Sequence, residues 1–234
     1  MDEKGTALGV GDKTKVLVPR SQAQAFITEP GNREWVSLIE CISGSQFQLP
    51  PYIIFEGKQV QRAWITSRLN RETVIRVTDS GWTNSDIALD WLSYFNLYTK
   101  PRLQGIYCLL IFNGHESHVL LQFVEYCEAY KIVPLCLPPY STHILQPLDV
   151  SIFGPLARAY KKRLYDTAIY GALAITKQEF LEIYQAAHSE AISLSNIAST
   201  WRVMGLIPYN PSTVLLKIQP ETPLFASLIN KNGV

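Results

Sequence analysis

Three polar residues stand where a chain often places groups that do chemistry. Asp2 precedes a β-like segment, and Asn113 closes the apolar run Tyr107–Phe112 within LLIFNGHESH. Asp149 stands at the start of a helix in PPYSTHILQPLDVSIFGPL, after a proline-rich loop, and 35 residues lie between it and Asn113. Magnesium takes oxygen ligands and is commonly held by one or two carboxylates together with substrate phosphates. Two such ions, about 3.5–4 Å apart, steady both the attacking and the leaving oxygen of a phosphodiester. Acids at strand ends suit this work because the sheet holds them rigidly. Asn113 breaks the pattern: its carboxamide has nearly the shape of an aspartate, but it carries no charge and its NH2 is a donor. A plainer reading competes, since a lone Asp at a helix start is an ordinary N-cap and an Asn before Gly an ordinary turn residue. Spacing alone does not separate the two.

Other sets of residues invite chemistry less strongly. His115, His118 and His143, with Cys136 nearby, raise a zinc reading, but zinc needs three or four ligands on compatible spacings. Histidines that hydrogen-bond loops around a site explain them better. Ser117 beside His115 and His118 lacks the G-x-S-x-G turn of a serine hydrolase. Arg158, Lys161, Lys162 and Arg163 form the densest basic cluster, the first three at i, i+3 and i+4 on one helical face. Because this helix follows Asp149 directly, phosphate contacts compete evenly with a merely solvated face. Lys13, Lys15 and Arg20 could form a second basic edge, and the five tryptophans read as core or rim packing.

The elements that must position these residues are visible as hydrophobic periods. Thr14–Val18, Glu34–Ile42, Pro51–Phe55 and Thr73–Val77 are rich in β-branched and aromatic residues and are separated by glycine-bearing turns. Thr83 and Asp86 have capping-box spacing before a helix with Ile87, Trp91, Phe95 and Tyr98 on one face, which Pro101 stops. Tyr107–Phe112 reads as a strand buried on both faces. Ser117 can cap a helix with a Leu120, Phe123, Val124 and Cys127 stripe, and Ile132–Leu137 is a further strand. Strand, helix, strand implies a parallel βαβ pair. Phe153, Leu156, Tyr160 and Leu164 then share a helical face, and Thr176 with Glu179 forms another capping box. Pro208, Pro211, Pro220 and Pro223 mark an irregular C-terminal tail. The expected class is α/β: a mixed sheet with helices on its faces.

Composition sets the outer bounds. At 47% hydrophobic and 11% aromatic, 234 residues can bury a full core. A net charge of +1 is low for a small DNA-binding module, so any DNA contact must come from a local patch. Four scattered cysteines without a C-x-x-C pair suggest reduced intracellular thiols. No apolar run is long enough to span a bilayer and no signal peptide is visible. The start Met1-Asp2-Glu3-Lys4-Gly5, without a leader or a preceding strand, suggests a fragment of a longer protein.

Together MDEKG, LLIFNGHESH and PPYSTHILQPLDVSIFGPL resemble the DDE-superfamily endonuclease domain of pogo-like and Tigger-like transposases, fungal members above all. GNREWVSLIECI, PPYIIFEGK, DSGWTN and GLIPYNP look like further blocks of that family, in the same order. The resemblance implies an RNase H-like mixed sheet flanked by helices, with residues 1–166 as an N-terminally truncated catalytic-type domain and 167–234 as a helical C-terminal extension with an irregular tail. It also implies a three-acid site with two Mg2+ or Mn2+ ions that hydrolyses a phosphodiester and then joins the freed 3′-hydroxyl to target DNA. Matched by motif, the acids fall on Asp2, Asn113 and Asp149, with Asp2 and Asp149 as metal ligands and Asn113 in the place of an aspartate. A strongly impaired or inactive nuclease is the expectation, and a DNA- or protein-binding derivative without chemistry is the alternative. His115 and His118 would shape the pocket, and Arg158, Lys161, Lys162 and Arg163 would contact DNA. A nuclear protein with DNA as partner follows, compatible with a homodimer, with neither a membrane nor a small-molecule cofactor.

Overall fold

The computed structural model describes residues 1–8, 34–114, 121–169 and 175–218. The expected strand Thr14–Val18, the basic edge of Lys13, Lys15 and Arg20, and His115, Ser117 and His118 lie outside the described residues. Strands β1 (Asp2–Ala7), β2 (Trp35–Glu40) and β3 (Tyr52–Glu56) form an antiparallel meander, and β4 (Val74–Thr78) runs parallel to β3. After α1 (Ser85–Thr99), β5 (Cys108–Phe112) and β6 (Ile132–Cys136) make the expected parallel pair around α2 (Leu121–Ala129). The two sheets meet where Met1 N donates to Ile111 O at 2.6 Å.

Strand alternation decides what each face buries. Val36 and Leu38 on β2, with Ile53 and Phe55 on β3, pack against α4 (Phe153–Ile169), α5 (Lys177–Ala191) and α6 (Leu194–Val203). Ile39, Tyr52 and Ile54 point to the opposite face and pack against Trp91, Leu92 and Phe95 of α1 and Phe123 of α2. Each fully buried side chain of this size contributes roughly 1.5–3 kcal/mol, so the double-sided core is what fixes the sheet. A mixed sheet between helical layers, followed by a helical C-terminal region, is the α/β arrangement that the sequence implied.

Two sequence expectations are corrected. Helix α1 is capped by Asn84, whose side chain accepts from Ile87 N at 2.9 Å, and not by Thr83. Asparagine is the stronger N-cap, and one residue of shift gives it the N3 amide. The β5–β6 pair is buried on one face only: Leu109, Val133 and Leu135 remain 56%, 45% and 46% exposed. Helices α1 and α2 cover its inner face, while the α4–α5–α6 layer packs beneath β2 and β3. The Thr176–Glu179 capping box of α5 is present in full.

One buried polar cluster interrupts the α5 interface. Glu40, 1% exposed, accepts from the Tyr184 hydroxyl and pairs with His188 Nε2 at 3.0 Å. Burial pulls the His188 pKa down, but the Glu40 carboxylate beside it outweighs that and holds it above the usual imidazole value.

Candidate metal and nucleic-acid site

Strand β1 reads DEKGTA, a run with little intrinsic β preference. It is a strand because of what holds it: the ladder to β2, with Asp2 opposite Glu40, and a clamp on the Met1 peptide. Met1 N donates to Ile111 O and Met1 O accepts from Gln146 Nε2, each at 2.6 Å. Asp2 therefore opens β1 at the junction of the two sheets and is 1% exposed.

Asn113 follows the last residue of β5, and its Nδ2 donates to Asp2 Oδ1 at 2.9 Å. The same oxygen accepts from Glu3 N at 2.9 Å. Asp149 lies in a π-helical turn, Leu148–Ile152, that leads from Pro147 into α4. A single π turn changes where a side chain emerges and is common at functional sites. Leu148 and Ile152 anchor this one in the core while Asp149 faces solvent. Burial, and after it the negative charge of Asp149, push the Asp2 carboxyl up to about 7. Hydrogen bonds from the Glu3 amide and the Gln146 carboxamide offset part of this rise. Near neutral pH the Asp2 carboxyl is thus close to half protonated in the absence of a cation. Asp2 thus accepts a hydrogen bond from Asn113 and feels the charge of Asp149, both distant from it in sequence.

Gln146 is a fourth member that the sequence reading passed over. It is fully buried, and its amide joins the Met1 carbonyl and Asp2. Its place three residues before Asp149 in the LQPLD block was the available signal. Two buried oxygens at this site accept no hydrogen bond: Asn113 Oδ1 and Gln146 Oε1. Among the described residues, no three His, Cys, Asp or Glu side chains gather as a metal-binding group. The carboxylates of Asp2 and Asp149 are hard oxygen donors, which suits Mg2+ or Mn2+. These two carboxylates neutralise one divalent ion and fall short of two.

The basic residues divide. Arg158, Lys161 and Lys162 are exposed on α4. Arg163 pairs with Glu190 at 2.6 Å and donates to Ala159 O, so it ties α4 to α5. Lys4, two residues along β1 from Asp2 and so on the same strand face, holds its ammonium 5.6 Å from the centre of the Phe153 ring at the start of α4. His143 is exposed in the short helix α3 (Thr142–Leu145), and Cys136 is exposed at the end of β6.

Residues 32–201 match the DDE superfamily endonuclease family. The chain is 37% identical over 218 residues to a Cochliobolus lunatus protein named MFS-type transporter clz9, a match spanning 93% of this chain and 24% of that protein. It is 27% identical over 132 residues to the Homo sapiens Pogo transposable element with KRAB domain, spanning 55% of this chain and 20% of the relative. The chain thus spans a quarter or less of the length of these relatives. The transporter name describes a far longer protein; among the described residues here no helix is long and apolar enough to cross a membrane. Among solved structures, a pre-cleavage Mos1 transpososome aligns with TM-score 0.47 at 13% identity, covering 85% of this chain and 54% of that one. A Mos1 mariner paired-end complex with Mn aligns with TM-score 0.44 at 12% identity, covering 89% and 54%. On the match over residues 32–201, this chain belongs to the DDE superfamily endonucleases.

Proposed function

We propose that this chain is the DNA-facing catalytic-type domain of a transposase, with strand cleavage and transfer strongly attenuated by Asn113. One observation carries this reading: Asn113 Nδ2 donates to Asp2 Oδ1 at 2.9 Å, where the family has a second carboxylate. Asp2 and Asp149 would hold Mg2+ or Mn2+. The bound ion would polarise a phosphodiester oxygen and lower the pKa of water. The chain's own residues do the rest. Asp2 stays rigid through the Met1 clamp, and Asp149 projects from the π turn toward solvent, where a phosphate can reach it. Asn113 spends its donor on Asp2 and brings no charge. The exposed face of Arg158, Lys161 and Lys162 supplies phosphate contacts along α4, with Lys4 at its head. In this reading residues 1–166 carry the reacting positions, 167–234 are the C-terminal extension whose helices α5 and α6 pack on β2 and β3, and the protein works in the nucleus.

Nicking of supercoiled plasmid in Mn2+ tests it. Asn113→Asp should cut about 100-fold faster than the wild type, the range seen when one electrostatic group of a site is removed or restored. Equal rates in the two proteins would remove Asn113 as the cause. A second reading, a binding derivative without chemistry, is favoured by the same hydrogen bond, because it satisfies Asp2 without any cation. It predicts no nicking by either protein alongside retained DNA affinity.

A further inference from the structure

A cavity of about 240 Å3 lies beside the Met1 clamp, where the ends of the two sheets meet α6. Its walls are largely apolar: Ile42 after β2, Phe95 of α1, Leu110 of β5, Leu148 of the π turn, Trp201 of α6 and Ile207 beyond it. Leu109 and Ile207, 56% and 49% exposed, are its most open lining residues and mark the mouth. Met1 and Gln146 belong to the lining, but Asp2, Asn113 and Asp149 do not, so the cavity is separate from the acids. Protein interiors are packed as densely as organic crystals, and voids larger than a water molecule are few. A void of roughly 150 Å3 with aliphatic and aromatic walls takes up benzene, so this one has room for a second ring.

Two polar atoms of the lining residues have no partner in the chain. Gln146 is fully buried; its NH2 is used on Met1 O, and its Oε1 accepts nothing. Trp201 Nε1 is buried and donates to nothing. The hydroxyls of the wall are satisfied, since Thr99 donates to Phe95 O and Ser43 pairs with Ser45. A buried donor or acceptor left unpaired loses its hydration with no return. Among the described residues no charged side chain lines the cavity, so a charged ligand would be desolvated without compensation. A hydroxyl group offers a donor and an acceptor at once. A rigid ring fills space beside Phe95 and Trp201 at little cost in freedom.

We propose that this cavity binds a small, uncharged aromatic alcohol, whose hydroxyl donates to Gln146 Oε1 and accepts from Trp201 Nε1 while its rings lie against Phe95, Leu110 and Leu148. Gln146 is then held from both ends, its NH2 by the Met1 carbonyl and its oxygen by the ligand. The site needs neither metal nor DNA, and it stands or falls apart from the functional reading above.

The probe is 2-naphthol, titrated into the whole chain, with naphthalene and 2-naphthoate as controls. Calorimetry gives the affinities. The 1H–15N signals of the tryptophan indoles give the location, Trp201 being the indole signal missing from Trp201→Phe. 2-Naphthol should shift the Trp201 signal saturably. Naphthalene should bind at least about tenfold more weakly, because it leaves both polar atoms unpaired, and 2-naphthoate should not bind. In Trp201→Phe the preference for 2-naphthol over naphthalene should shrink at least about threefold. Leu109→Trp, at an exposed position that does not endanger the fold, should fill the mouth and weaken 2-naphthol about tenfold. No saturable shift at Trp201, equal affinity for naphthalene or 2-naphthoate, an unchanged preference in Trp201→Phe, or full affinity in Leu109→Trp would each overturn the proposal.

Discussion

Asn113→Asp places a second carboxylate where the wild type has a donor 2.9 Å from Asp2 Oδ1, so its cost without metal follows from the site itself. A charge-assisted hydrogen bond contributing about 1.5–3 kcal/mol is lost. In its place two like charges about 4 Å apart repel by roughly 4 kcal/mol at an effective dielectric constant near 20. The pair can escape by keeping one proton. Wild-type Asp2 already keeps its proton up to about 7, so in the variant that proton costs about 1.4 kcal/mol for each pH unit above 7, which caps the loss relative to wild type. The cap is close to zero at pH 5 and about 1.4 kcal/mol at pH 8. Urea denaturation in a chelator should therefore show a variant nearly as stable as wild type at pH 5 and about 1–2 kcal/mol weaker at pH 8. Saturating Mn2+ at pH 8 should restore it, by roughly 2.7 kcal/mol at a hundredfold excess over Kd. A small pH-independent loss, or no recovery with Mn2+, would mean that position 113 does not face Asp2 and the cation site, and the account of Asn113 would fail.

Asp2→Asn should stabilise the metal-free domain. The folded Asp2 pKa of about 7 lies above its unfolded value of 3.8, so the stability this group contributes is full below about 4 and lost as pH rises through 7. Removing the ionisable group should flatten that decline by about 3 kcal/mol between pH 5 and pH 8, read as the difference between variant and wild-type denaturation at the two pH values. Glu40→Gln breaks a buried pair and should cost about 3–5 kcal/mol, with the Tm falling. It should also remove the His188 contribution, which is present below the ordinary imidazole pKa and lost as pH rises through the raised folded value. Reversing Arg158, Lys161 and Lys162 to Glu should lower the slope of log DNA affinity against log salt by at least roughly 2–3, whereas Arg163→Ala should leave the slope alone and cost stability through Glu190. Asn84→Ala should cost about 1 kcal/mol in thermal denaturation, because it removes the true cap of α1.

The strands β2, β3 and β4, the helices α1, α4 and α5, and the parallel β5–β6 pair were legible because each buries a face and so keeps a clear period. Strand β1 was not. DEKGTA has no period, and it becomes a strand only through Glu40-to-Trp35 pairing and the Met1 clamp, which are tertiary facts. The exposed side of β5–β6 was misread for the opposite reason: an uninterrupted apolar run looks the same whether one face or both are covered. At the site, the positions came from the motifs and the chemistry from geometry. The substitution at Asn113 could be seen in the sequence, but the direction in which its amide points could not. Gln146 drew no notice because its only signal was its place in the LQPLD block, and its role shows only when its amide is seen against Met1 and Asp2.

That amide direction changes what the substitution means. A site built from three carboxylates needs cations before it is stable, since Asp2 alone already resists ionisation under burial and the charge of Asp149. Exchanging the middle acid for its amide turns a repulsive neighbour into a donor, so the metal-free fold gains what the multi-ion site loses. Functional sites are where local stability is commonly given up for activity, and under the proposed reading Asn113 stands on the stable side of that trade. An amide differs from an acid in charge while keeping almost the same shape, so the β1–β5 junction, the π turn and the Gln146 clamp accommodate it, and its Nδ2 donates to Asp2 Oδ1, which lets Asp2 rest without a metal.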